Sequence, residues 1–258
     1  MASALSDAHF ARREIVVRVN GMGTPWCEAD LELLAPLKPA AVLFPKINIA
    51  GDIERAHAML DSRGFPRAAE LWCMIETPLA IINAGVMAQY GGAASRMSTW
   101  VLGTNDLVKE LHGQHTPGRE GLLPMLALVL TAARAGGLCV LDGVHNDVKD
   151  TEGFRFTCKQ GRQMGFDGRT LIHPFQIEPC NEAYSPSADE VRDARAVVDA
   201  FALPENRGKG VIQLHGRTAA RGNGPALNLG RVSPNGDIAV VRPIRCQAHR
   251  PRRAVATP

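Results

Sequence analysis

The sequence predicts an α/β chain of the TIM-barrel type, incomplete, made of six consecutive βα units and followed by a C-terminal segment and a disordered basic tail. Three observations predict it. Short apolar runs alternate with helix-compatible stretches at about the 30-residue spacing of βα units. The runs are continuous rather than alternating, as suits strands buried on both faces of a parallel sheet. Nearly every run also ends in a residue able to do chemistry, which is how the active face of a barrel is marked. A doubly wound dinucleotide-binding sheet would carry G-x-G-x-x-G after its first strand, and that motif is absent.

Residues 14–20 (EIVVRVN) supply the first strand and end in Arg18 and Asn20. Residues 40–46 (AAVLFPK) end in Pro45 and Lys46, residues 71–77 (LWCMIET) in Glu76 and Thr77, and residues 99–106 (TWVLGTND) in Asn105 and Asp106. Residues 139–144 (CVLDGV) carry Asp142, and residues 169–174 (RTLIHP) close on His173 and Pro174. Between the runs, residues 53–62, 122–135 and 152–164 read as helices. Only six units are visible, so the expected sheet has an unpaired parallel edge and closes only by association. The expected domains are the barrel over residues 1–183, a C-terminal segment over 184–216 and the tail over 217–258.

Of the 258 residues, 45% are hydrophobic and 21% charged, which excludes disorder throughout. The longest uncharged stretch, residues 77–95, is broken by Pro78, Asn83, Gln89 and Tyr90 and makes a poor membrane span. The N-terminus carries Asp7 and no apolar core of signal-peptide length, so the cytoplasm is the default compartment. Six cysteines with no CxxC pair fit neither a zinc site nor a disulfide scaffold. The net charge of +3 hides a split, because residues 217–258 carry eight arginines and one acid and the rest of the chain is acidic. That tail has no aromatic to stack on bases, so nucleic acid is not the expected partner.

Glu76 and Asp106 each close a strand and, on neighbouring barrel strands, would share one mouth. Two hard oxygen donors suit Mg²⁺, while capping of the following helices is the alternative that spacing leaves open. Arg18 stands in an apolar context where a buried, unpaired guanidinium would be costly, so it is expected to meet an acid. That acid is either substrate or a structural partner, Glu76 or Asp142. Lys46, Asn20, Asn105 and Asp142 are further candidates for orienting substrate or the ion's waters. The loop Gly165-Phe166-Asp167-Gly168 precedes its strand and reads as a turn on the stability face. His173 reads as a loop hydrogen-bond partner, and Trp26, Met74 and Met97 as packing. No Ser-His-Asp or Cys-His arrangement is evident, which argues against covalent catalysis.

Read together, VRVNGMGTPW (17–26), VLFPKI (42–47), MIETP (74–78), LGTNDL (102–107), LDGVHND (141–147), GFDGRTLIHPFQI (165–177), YSPSADEV (184–191) and ALPENRGKGVIQLHG (202–216) resemble the citrate lyase beta-chain-like and malyl-CoA lyase family of the aldolase/citrate lyase superfamily. The resemblance implies a Mg²⁺-dependent barrel enzyme that cleaves a carbon–carbon bond in a 3-hydroxyacyl-CoA such as malyl-CoA or citramalyl-CoA, or hydrolyses the thioester. It implies Glu76 and Asp106 as metal ligands and Arg18 as the residue that stabilises the enolate; with Arg18, the expected substrate contacts are Asn20, Lys46 and Asn105. It also implies a homo-oligomer, trimer or hexamer.

Two departures accompany the resemblance. The family's two first strands, with Arg-Ser…Phe-x-Pro-Gly and Asp-Leu-Glu-Asp, are not matched here, and they carry much of its coenzyme A binding. The lid's Leu-Asp-Gly stands here as Leu214-His215-Gly216, which makes His215 the catalytic proton-transfer candidate at a position that reaches a neighbouring subunit's site. The expectation is a chain that binds metal and keto acid with reduced turnover. A class II-type 2-oxo acid aldolase that needs no coenzyme A, and a non-catalytic remnant subunit, are the alternatives.

Overall fold

The computed structural model describes residues 14–92, 95–214 and 216–220. They fall into two compact units divided between Ala183 and Tyr184. In the first, six parallel strands pair in chain order: β1 (Val16–Arg18), β2 (Ala41–Phe44), β3 (Glu70–Ile75), β4 (Met97–Leu102), β5 (Cys139–Asp142) and β6 (Gly168–Arg169). Each strand neighbours the next without reversal, which is the winding of a barrel and not of a doubly wound sheet. The six units expected from the sequence are therefore present as a curled half-barrel. The sixth strand is shorter than its apolar run, because the chain turns away after Arg169 into a 3-10 turn, Pro174–Gln176.

Helices return the chain after every strand: α1 (Trp26–Leu34), α2 (Ala50–Ser62), α3 (Pro78–Ala88), α4 (Thr104–Glu110) and α5 (Leu123–Ala135), α6 (Thr151–Met164), and α7 (Ile177–Tyr184). Their starts are chemically marked. Thr77 caps α3 by accepting from the Ala80 N–H at 3.1 Å, with Pro78 in the first turn. Asp150 caps α6 through the Gly153 N–H at 2.9 Å, and Gly165, in the left-handed region at φ 106°, stops it.

Strand alternation sorts the side chains into two layers. Ala41, Trp72, Met74, Val101 and Leu141, with Val16 and Leu43, pack together in the concave interior. Val42, Phe44, Cys73, Ile75, Trp100 and Val140 are buried on the other face, beneath the helices. At the amino ends of the strands the Asp167 carboxylate accepts from the Val140 N–H at 2.7 Å and pairs with Arg134 at 2.8 Å, so the 165–168 loop is a structural turn, as expected. Met74 and Met97 are buried, but Trp26 is mostly exposed at the start of α1, which corrects its reading as packing.

The second unit holds α8 (Ala188–Ala202), opened by a Ser187/Glu190 capping box, and an antiparallel pair, β7 (Val211–Leu214) with β8 (Arg217–Ala220). The pair does not join the parallel sheet. Strand β8 corrects the expectation that the low-order tail begins at Arg217: the β7 register Leu214↔Arg217 through Val211↔Ala220 draws its first four residues into a hairpin. His215 and residues 221–258 lie outside the described residues. Among the described residues, no helix is long and apolar enough to cross a membrane.

Candidate active site

Glu76 follows β3 with the same parity as Trp72 and Met74, so its side chain turns into the concave face at the carboxyl end of the strand. It is only 3% exposed. The Lys46 backbone N–H, at the end of the β2 run, donates to Glu76 Oε1 at 2.8 Å. Lys46 adopts a left-handed conformation, φ 54°, to present that N–H, a strained geometry for a non-glycine residue. Gly103, after β4, lies against the same carboxylate: a Cβ there would stand 2.6 Å from Glu76 Oε2. Position 103 must therefore be glycine for the β3 and β4 ends to approach this closely.

Asp106 sits in the first turn of α4, directly beyond Gly103, near enough to Glu76 for the two carboxyl groups to interact. Burial first and then the neighbouring Asp106 push the Glu76 carboxyl up to about 7, against the opposing pull of the Lys46 N–H and charge. A buried carboxylate with a second carboxylate beside it provides the place a cation would fill. Among the described residues no group of three or more His, Cys, Asp or Glu side chains clusters for a metal. Magnesium commonly takes one or two carboxylates and completes its octahedron with water and substrate oxygens, so this donor pair fits it.

The other predicted residues are placed less uniformly. Arg18 shares the inward parity of Val16, but it is exposed, and the register sets it level with Leu43 and Trp72, short of Glu76 along β3. Among the described residues it forms no ion pair with Glu76 or Asp142, and its exposure at the end of a three-residue strand corrects the expectation of a buried guanidinium needing an acid. Asn20 is turned to α1, where its N–H and Nδ2 both donate to Asp30 Oδ2 at 2.8 Å. The Lys46 ammonium, half exposed, reaches Glu110 at 3.4 Å. Asn105 and Asn146 exchange amide hydrogen bonds of 2.9 and 2.8 Å, tying α4 to the loop after β5. His173 accepts from the Phe175 N–H, a loop partner as read.

Asp142 departs furthest from its reading. Leu141 belongs to the interior cluster, so Asp142, one residue on, faces the helix layer, where it is fully buried. Arg119 Nη1 contacts both of its oxygens at 2.8 and 2.7 Å, and Arg169 Nη2 lies 3.6 Å away. Asp142 therefore does not reach the mouth. Arg119 and Arg169, both buried, were not singled out from sequence. The only available signal was the alternation counted from Leu141, which sends Asp142 outward and demands a cation there.

The family model of the HpcH/HpaI aldolase/citrate lyase family matches residues 1–174. A (3S)-malyl-CoA thioesterase from Cereibacter sphaeroides is 43% identical over 217 residues, covering 84% of this chain and 73% of that protein. The citrate lyase subunit beta of Escherichia coli (strain K12) is 32% identical over 234 residues, covering 89% and 76%. Among solved structures, a citrate lyase from Burkholderia xenovorans LB400 superposes with a TM-score of 0.73 at 21% identity over 85% of this chain and 72% of its own, a likeness of fold. Protein CitE from Mycobacterium tuberculosis, in complex with magnesium, acetoacetate and coenzyme A, superposes with a TM-score of 0.60 at 28% identity over 80% and 72%. The curled sheet, the carboxylate pair at its carboxyl end and these matches lead to one conclusion: the chain belongs to the HpcH/HpaI aldolase/citrate lyase family.

Proposed function

We propose that this chain holds Mg²⁺ through Glu76 and Asp106 and acts on the coenzyme A thioester of a 3-hydroxy acid such as malyl-CoA or citramalyl-CoA. The carrying observation is the buried Glu76 carboxyl pressed against Asp106 at the carboxyl ends of β3 and β4. Thioester hydrolysis is the first reading, supported by the 43% identity to a malyl-CoA thioesterase. Carbon–carbon cleavage is the second, supported by the likeness to citrate lyase beta subunits and by a carboxylate pair that leaves metal positions for a hydroxyl and a carboxylate together.

When bound, Mg²⁺ supplies a Lewis acid and a template for substrate oxygens. The chain's own residues do the rest. The Lys46 N–H keeps Glu76 Oε1 aimed, and Gly103 leaves Oε2 its room. Arg18 offers a planar fork to a substrate carboxylate or to the oxygen that gathers charge as the bond breaks. Asn20, Lys46 and Asn105 are the further candidates for substrate contact, Asn20 and Asn105 once released from Asp30 and Asn146. In the cleavage reaction the hydroxyl gives up its proton and the thioester enolate regains one at carbon, and His215 is the group assigned to that transfer. By the same reading, copies of the chain associate to cover the open edges of β1 and β6.

The test is malyl-CoA with and without Mg²⁺, following free thiol and glyoxylate separately. Metal-dependent thiol release supports hydrolysis, and glyoxylate with no free thiol supports cleavage. Cleavage of free hydroxy 2-oxo acids without any thioester would replace both with an aldolase. Absence of all turnover together with absence of Mg²⁺ binding would overturn the proposal.

A further inference from the structure

The carboxyl ends of β3, β4 and β5 touch through two glycines. Gly103 lies against Glu76, and Gly143, just beyond β5, lies against Thr104: a Cβ on Gly143 would overlap the Thr104 side chain. Thr104 is buried and opens α4, the helix that presents Asp106. The position of the Gly143 peptide therefore limits where α4 can sit, and with it the reach of Asp106 toward Glu76.

That peptide is clamped at both ends by a buried charge network. Its N–H donates to Asp142 Oδ1 at 2.8 Å, and its carbonyl accepts from Arg169 Nε at 2.7 Å. Asp142 is in turn gripped by Arg119, whose Nε donates to Gln160 Oε1 at 2.8 Å. Gln160 Nε2 returns a bond to the Gly118 carbonyl at 2.9 Å. Arg119 adopts a left-handed φ of 58° and is 7% exposed, and its own carbonyl accepts the Leu122 and Leu123 N–H groups at the start of α5. A strained, buried arginine is thus fixed from three sides onto one aspartate, while the segment it anchors is the continuation of α4 itself.

We infer that Arg119 is a positioning residue for the metal site: through Asp142 and the Gly143 peptide it sets α4 against Gly143 and so holds Asp106 at Glu76. The inference rests on the Mg²⁺ reading above. Groups that orient metal ligands without touching the ion typically change metal affinity about 10- to 100-fold when altered. The geometry assigns that role to a residue on the opposite side of the sheet from the carboxylates.

The test is Mg²⁺ calorimetry on the whole chain, below the melting transition of each variant, for wild type, Asp106→Asn, Arg119→Lys, Gly143→Ala and Arg96→Gln. Arg119→Lys keeps the charge beside Asp142 but loses the fork, and Gly143→Ala pushes Thr104 with the ion pair intact. Both are expected to weaken Mg²⁺ binding about 10- to 100-fold. Arg96, paired with Asp61 at 3.1 Å before β4, is equally buried but at the amino end of the sheet, and Arg96→Gln should lower stability without moving the affinity. If Asp106→Asn loses Mg²⁺ while Arg119→Lys and Gly143→Ala bind it as wild type does, this inference is overturned and the metal reading stands. Equal weakening in Arg96→Gln would also overturn it, as a mere effect of destabilisation. Wild-type protein that binds no Mg²⁺ overturns both.

Discussion

Replacing Glu76 by Gln should stabilise the metal-free protein at alkaline pH and not at acid pH. Burial and Asp106 raise the Glu76 carboxyl from 4.5 to about 7, so the folded protein holds this proton more tightly than the unfolded chain does. The sign follows: the favourable contribution is fully present below 4.5 and is lost as pH rises through about 7. A shift of this size corresponds to about 3 kcal/mol of ionisation cost at pH 8 and about 1 kcal/mol at pH 5. Glutamine is isosteric. Its carbonyl can still accept the Lys46 N–H, so removal of the charge leaves that hydrogen bond in place. Urea unfolding in a metal chelator should therefore show E76Q more stable than wild type by about 2 to 3 kcal/mol at pH 8 and by about 1 kcal/mol or less at pH 5. Addition of Mg²⁺ should stabilise wild type and leave E76Q unchanged. An E76Q protein that is no more stable than wild type at pH 8 would refute the claim that Glu76 is a buried, electrostatically strained carboxylate.

Other outcomes follow from the same geometry. Asp106→Ala should abolish Mg²⁺ binding in calorimetry with a circular dichroism spectrum close to wild type, and unaltered affinity would remove Asp106 from the site. Lys46→Gly keeps the N–H on Glu76 and relieves the left-handed strain, so its stability should stay within about 1 kcal/mol of wild type with metal affinity retained. Lys46→Pro, which deletes that N–H, should lose the metal. His57, on α2, is held below its ordinary value by burial first and then by Arg96, so its contribution is present above pH 6.5 and is lost as pH falls through the folded value. Chemical denaturation from pH 7.5 to 5.5 should show that loss in wild type and a flatter profile in His57→Gln.

The strands and the carboxylate pair at their carboxyl ends were legible because one rule covers both. Runs such as AVLF and LWCMI are buried on either face, which only a helix-covered parallel sheet provides, and the polar residue ending each run marks the mouth. The rule failed where a strand-end residue has the wrong parity. Glu76 keeps step with Met74 and turns inward, whereas Asp142 is out of step with Leu141 and turns beneath the helices, although both close a strand in an apolar context. Arg18 has the right parity but stands on a short edge strand, and exposure there depends on neighbours that no local pattern encodes. Alternation from Leu141 calls for a cation at Asp142 but does not say that Arg119 supplies it. Its partner is 23 positions away across a strand boundary, and its left-handed backbone has none of the residue types that usually signal one.

Asn20 and Asn105 show why a polar strand end is an ambiguous sign. Each spends its hydrogen bonds on another part of the rim: Asn20 on Asp30 of α1, and Asn105 on Asn146 beyond β5. Thr77 does the same, binding the Asn48 side chain while it caps α3. A barrel mouth is a ring of chain reversals, and each reversal leaves backbone and helix-end groups that need partners. Most of the polar residues gathered there answer that need before any ligand arrives. What separates Glu76 from them is that its environment works against it. Its one hydrogen-bond donor is held in a strained conformation and a second carboxylate stands beside it, an arrangement that lowers stability unless a cation or a proton occupies it. A cost left uncompensated by the fold itself is a firmer pointer to function than polarity at a strand end, because structural side chains are under no pressure to keep one.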